Sequence, residues 1–142
     1  MEHPGLRGLS ILVVENELLI AMDIAKALES AGANATMTTT ARHAMILADH
    51  DGLAGAIMDH GLTGGDSTAV CARLKERGIP YISYTGYSAV AGADPAAPHI
   101  NKPVSMNVLM SALEDLLSIV LRRNGRIWLR PALGQDLPVW RL

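Results

Sequence analysis

The chain has 142 residues, of which 49% are hydrophobic and 18% charged, and its formal charge is −2. That balance excludes a disordered polymer and leaves no basic footprint for nucleic acid. One cysteine, Cys71, excludes an intramolecular disulfide; no apolar run reaches the ~18 residues that span a bilayer, and Met1-Glu2-His3-Pro4-Gly5 is no signal peptide. The expectation is a soluble, cytoplasmic protein with one well-filled core.

Leu9 to Val14 is a continuous apolar, β-branched run, the mark of a strand buried on both faces, and it stops at Glu15-Asn16-Glu17. From Leu18 to Ala31 the period becomes helical, with Leu18, Met22, Ala25 and Leu28 on one face and Gly32 at the stop. Asn34 to Thr39 reads as a weaker strand, and Thr40 can cap a helix from Ala41 to about His50. Leu53 to Met58 is a third strand that ends in Asp59 and runs at once into the Gly-rich turn His60-Gly61-Leu62-Thr63-Gly64-Gly65. Asp66 or Ser67 can cap the next helix, which turns Val70, Cys71 and Leu74 inward and ends near Gly78.

Ile79 to Thr85 makes a fourth strand broken by Gly86, and Tyr87 to Pro98 is a Pro- and Gly-rich stretch that makes a poor helix. His99-Ile100-Asn101 forms a brief fifth strand before Lys102-Pro103. Ser105 caps a final helix to about Arg123, with Leu109, Ala112, Leu113, Leu116 and Val120 facing the core and a second apolar stripe of Met110, Leu117 and Leu121. Strands alternating with helices in this way predict an α/β protein with a doubly wound, five-stranded parallel sheet.

In such a sheet, function gathers at the carboxyl ends of the strands. The polar residues there are Glu15 and Asn16, Asp59, Thr85 and Lys102. Carboxylate and amide oxygens together suit Mg²⁺, and a hydroxyl and an ammonium aimed at one carboxylate can neutralise a transferred phosphoryl group. The set reads as a phosphoryl-accepting site with Asp59 as nucleophile.

These residues resemble the receiver domain of bacterial two-component response regulators. The likeness runs from about Leu9 to Val120 and is carried by Ile11-Leu12-Val13-Val14-Glu15-Asn16-Glu17, Ala56-Ile57-Met58-Asp59, Tyr84-Thr85-Gly86-Tyr87 and Asn101-Lys102-Pro103. The Thr-Gly-Tyr piece looks like that of stand-alone receivers common in alphaproteobacteria. The resemblance implies a flavodoxin-like strand order of 2-1-3-4-5, with a shortened or missing fourth helix here. It implies Asp59 as phosphoacceptor, Thr85 as switch hydroxyl and Lys102 as phosphate-binding cation. Glu15, Asn16, Asp59 and the backbone carbonyl of Gly61 would hold a weakly bound Mg²⁺, and the Lys102–Pro103 peptide would be cis.

Three positions depart from the family pattern. Asn16 stands where an Asp usually touches the metal, His99 replaces the aromatic switch residue three positions before Lys102, and the segment between Thr85 and Lys102 is short. Each residue has a plainer reading: Asp59 as a turn cap, Asn16 as a helix N-cap, Glu15 as a solvated carboxylate, Thr85 as a strand former and Lys102 as a surface lysine. His60 and His99 read as loop or packed histidines, and Cys71 as core.

The implied function is a phosphoacceptor signalling domain rather than an enzyme: a response regulator loaded by a histidine kinase or phosphotransfer protein, with no DNA or membrane partner. Within 142 residues output would pass by protein–protein contact. A receiver-like binding module that works without phosphorylation is the alternative that Asn16 and His99 motivate, and an Asp-nucleophile phosphatase is a third. Residues 1–124 form the expected receiver domain. Residues 125–142 hold both tryptophans, Trp128 and Trp140, and are expected to pack on the last strand and helix of their own chain or of a second copy in a homodimer.

Overall fold

A computed structural model describes residues 2–59, 67–86, 97–123, 127–129 and 139–141. Five parallel strands, β1 (Ser10–Val14), β2 (Asn34–Thr38), β3 (Leu53–Met58), β4 (Tyr81–Thr85) and β5 (His99–Asn101), form one sheet in the order 2-1-3-4-5. The helices are α1 (Leu18–Ser30), α2 (Ala41–Leu47), α3 (Ser67–Glu76) and α4 (Met106–Arg123). The fold class and strand order are those expected. The segment expected to hold a shortened or missing fourth helix falls largely outside the described residues.

Side chains alternate across each strand with a period of two, and the apolar ones sort into two layers. Ile11, Val13, Ile57, Ile82 and Tyr84 join α1, α4 and the amino-terminal turn on one face; Leu12, Val14, Ala56, Met58 and Tyr81 join α2 and α3 on the other. A sheet covered on both faces needs apolar residues at every strand position, which is why β1 reads as a continuous run rather than an alternating one. Gly32 adopts a φ of +87°, a conformation that stops α1 at small steric cost. Thr40 accepts the His43 amide at 3.3 Å and so caps α2, while Ser105 accepts the Val108 amide at 3.2 Å at the start of α4.

Two helical faces differ from expectation. The buried face of α1 is Ala21, Ile24, Ala25 and Leu28, and Leu18 and Met22 stand about half exposed. The true face has the i, i+3, i+4, i+7 spacing and keeps Ala25 and Leu28 while exchanging Leu18 and Met22 for Ala21 and Ile24. In α4, Met110 and Leu117 are buried with Leu109 and Leu113 rather than forming a spare stripe. This helix packs on α1 and on the sheet together, and two partners need a wider apolar face than one.

One further element has no mark in the sequence. Residues Ile127–Leu129 (β6) and Val139–Arg141 (β7) pair antiparallel, with Trp128 in register with Trp140. The connection carries no two-residue turn signal, so the hairpin has no local signature.

Candidate functional site

The sheet register builds the site. Val14 pairs with Met58, so the next residues, Glu15 and Asp59, leave neighbouring strand ends side by side. Thr85 pairs with Asn101, which sets Lys102 at the adjoining end. Strands lie about 4.8 Å apart, so three chemically distinct side chains converge within a few ångströms although they are far apart in sequence.

Lys102 is the hub. Its Nζ donates to Glu15 Oε2 at 2.6 Å and to Asp59 Oδ2 at 3.3 Å. Both carboxylates are buried, the Glu15 side chain at 1% exposure and that of Asp59 at 6%, whereas Lys102 keeps 17%. Asp59 is anchored from the backbone side by its amide, which donates to the Val14 carbonyl at 2.8 Å. The second Glu15 oxygen accepts the Glu17 amide at 3.1 Å. A solvated-carboxylate reading of Glu15 and a surface-lysine reading of Lys102 both fail against these contacts.

The charges perturb one another. Burial pushes the Glu15 carboxyl above its usual range, and the nearby Asp59 adds to the rise while Lys102 opposes it. Burial pulls the Lys102 ammonium down, yet the Glu15 and Asp59 carboxylates together outweigh it and leave its pKa raised. Two buried carboxylates thus share a single ammonium.

The other expected site residues fall around this centre. Asn16 is exposed, and the N-cap position of α1 is the next residue, Glu17. Thr85 ends β4 as expected, and its side chain lies outside the described residues. Gly61, His60 and Asp66 also lie outside them. His99 is exposed, with its Nε2 and Asn101 Oδ1 2.9 Å apart along β5. The Lys102–Pro103 peptide is cis. Cys71 is buried, as a core residue should be.

Tyr84 is a site neighbour with no mark in the sequence. Its ring lies beneath Lys102, with Nζ 5.4 Å from the ring centroid. The contact follows from the β4–β5 register, which pairs Tyr84 with Ile100, two residues before Lys102 on the strand that delivers the lysine.

The donor set fits a hard divalent cation. Glu15 and Asp59 are anionic oxygen donors already facing one positive charge, which is the chemistry Mg²⁺ prefers. Among the described residues, no helix is long and apolar enough to cross a membrane.

No protein-family model matches the chain. It is 32% identical over 116 residues to the transcriptional regulatory protein TcrA of Mycobacterium tuberculosis, a match that takes in 77% of this chain and 46% of TcrA. The chain therefore spans slightly less than half the length of the curated relatives it matches. Among solved structures it is similar to a CheY-like response regulator receiver domain from Methanospirillum hungatei, at a TM-score of 0.73 and 24% identity over 82% of this chain and 98% of that one. A response regulator receiver protein from Sinorhizobium medicae gives 0.73 and 20% identity, over 81% and 98% of the two chains. The receiver domain of a Pseudomonas aeruginosa sensor histidine kinase, solved with magnesium coordinated in its active-site cleft, gives 0.69 and 20% over 78% and 98%. The fold is thus that of CheY-like receiver domains.

Proposed function

We propose that the chain is a receiver domain that accepts a phosphoryl group on Asp59 from a histidine kinase or phosphotransfer protein and signals by protein–protein contact. One observation carries this reading: a buried carboxylate at a strand end shares a lysine ammonium with a second buried carboxylate. A turn cap needs neither the burial nor the cation. In the proposed step an Asp59 carboxylate oxygen attacks the phosphorus of a phosphohistidine, the P–N bond breaks with its electron pair returning to the imidazole, and an acyl phosphate remains on Asp59. Lys102, whose Nζ lies 3.3 Å from Asp59 Oδ2, would offset the charge on the phosphoryl oxygens.

Glu15 and Asp59, with Asn16 and the Gly61 carbonyl, would hold Mg²⁺, which would neutralise phosphoryl oxygens when bound. Asn16 brings an oxygen without charge, so the affinity is expected to be weak. Thr85 would report occupancy of Asp59 by biasing a two-state equilibrium. The Tyr84-Thr85-Gly86-Tyr87 run supports a receiver of the Thr-Gly-Tyr type. Leu18, Leu19 and Met22, all exposed on the first turns of α1 just after Glu15, give a protein donor an apolar surface beside the site.

The test is direct. The protein is incubated with a small acyl phosphate and Mg²⁺ and analysed by intact mass. Wild type should gain one base-labile phosphoryl group and Asp59→Asn none, with the fold retained because the substitution is nearly isosteric. Equal labelling of the two proteins would remove Asp59 from the role.

A further inference from the structure

Glu15, Asp59 and Lys102 are used by the reading above, but Tyr84 is not. It is 4% exposed and sits in the layer shared with α1 and α4, and the Lys102 ammonium rests over its ring. Among the described residues the ammonium has three neighbours: the Glu15 carboxylate at 2.6 Å, the Asp59 carboxylate at 3.3 Å and the aromatic face. These supports differ in kind. A hydrogen bond to a carboxylate is directional and depends on that carboxylate's charge. The ring quadrupole attracts a cation anywhere over its face and is indifferent to the ionisation of Glu15 or Asp59.

That difference has a consequence for the reaction. At rest Lys102 is held closer to Glu15 than to the nucleophile. Any positive charge arriving at the carboxylates, or a phosphoryl group arriving on Asp59, changes those two contacts and requires the ammonium to shift. Lysine has a flexible four-carbon stem, which gives no direction by itself. The ring supplies a surface along which the ammonium can move while staying in the site.

We infer that Tyr84 is a positioning residue for Lys102: its ring, rather than its hydroxyl, keeps the ammonium aimed at Asp59 when the Glu15 contact is released. The inference rests on the phosphoacceptor reading, and its test has one arm independent of that reading. In lysine-labelled protein without any phosphodonor, the Lys102 ε-methylene signal, assigned from its loss in Lys102→Ala, should show an upfield ring-current shift. Tyr84→Leu should abolish that shift, and Tyr84→Phe should restore it.

In the second arm, the initial rate of Asp59 phosphorylation by acetyl phosphate should fall roughly 2- to 5-fold in Tyr84→Leu and recover in Tyr84→Phe, the size expected for a lost cation–π contact. Should the Leu variant fail to fold, Tyr84→Met gives a ring-free side chain of closer volume. An unshifted Lys102 signal in wild type, or equal rate losses in the Phe and ring-free variants, overturns the inference. A shifted Lys102 signal in a wild type that takes no phosphoryl group keeps the contact and overturns the phosphoacceptor reading instead.

Discussion

Lys102→Ala separates the electrostatics of this site from its packing. The substitution removes the cation that both buried carboxylates share and leaves Glu15 and Asp59 facing each other. Breaking a buried ion pair by deleting one partner costs about 3–5 kcal/mol. Lys102 is 17% exposed, so water can enter the gap, and about 2–3 kcal/mol is expected near pH 8. The loss should depend on pH. Glu15 already titrates above the value of 4.5 expected for an unperturbed Glu, because burial raises it more than Lys102 lowers it.

A carboxyl whose folded pKa is raised binds its proton more tightly in the native state than in the unfolded chain. Its stabilising contribution is therefore full below the unfolded pKa and is lost as pH rises through the folded one. Removing Lys102 lifts the folded pKa further, so the variant should lose more than wild type over that limb. Urea unfolding of both proteins at about pH 5.5 and about pH 8 measures the gap. It should be smaller at the lower pH and larger at the higher, because a raised carboxyl holds its proton more tightly in the native state. A gap that is the same at both, or under about 0.5 kcal/mol at the higher, would refute this account of the charge cluster.

Asn16→Asp should tighten Mg²⁺ binding in a calorimetric titration, by adding an anionic oxygen, and should lower the stability of the metal-free protein by adding a third carboxylate; equal or weaker affinity would take Asn16 out of the metal set. Gly55→Ala in β3 places a methyl carbon 2.9 Å from Leu117 Cδ2 and 3.4 Å from the Pro80 carbonyl oxygen. Leu117 is itself buried, so about 1–2 kcal/mol of destabilisation is expected by denaturant unfolding, and a wild-type midpoint would show that Leu117 yields freely. Deleting residues 125–142 should change the elution volume or the melting temperature, since a two-stranded hairpin is marginal by itself and β6 lies against α4. Unchanged values for both would mean that the hairpin covers nothing.

The strand ends were the legible part of the sequence. Glu15, Asp59 and Thr85 each follow a largely apolar run and Lys102 follows the brief strand His99-Ile100-Asn101, and a parallel sheet has little freedom in where its strands end. The helical faces were less legible because α1 carries apolar residues on two overlapping stripes. Leu18 and Met22 fit one and Ala21 and Ile24 the other, and close packing against the sheet decides between them. The Tyr84 contact could not be read from strand order alone. It depends on the β4–β5 register, a tertiary fact, as does the pairing of Trp128 with Trp140.

The sheet order also governs when in folding the site comes into being. Glu15 and Lys102 are 87 residues apart, and β1, β3, β4 and β5 must all be docked before their side chains meet. Closing so long a stretch of chain costs entropy before the contact returns anything. The charge cluster accordingly belongs to the last stage of assembly, and interactions absent from the folding transition state act on the unfolding rate. The ammonium at the centre therefore does little to speed formation of the domain and much to lengthen the lifetime of each folded molecule.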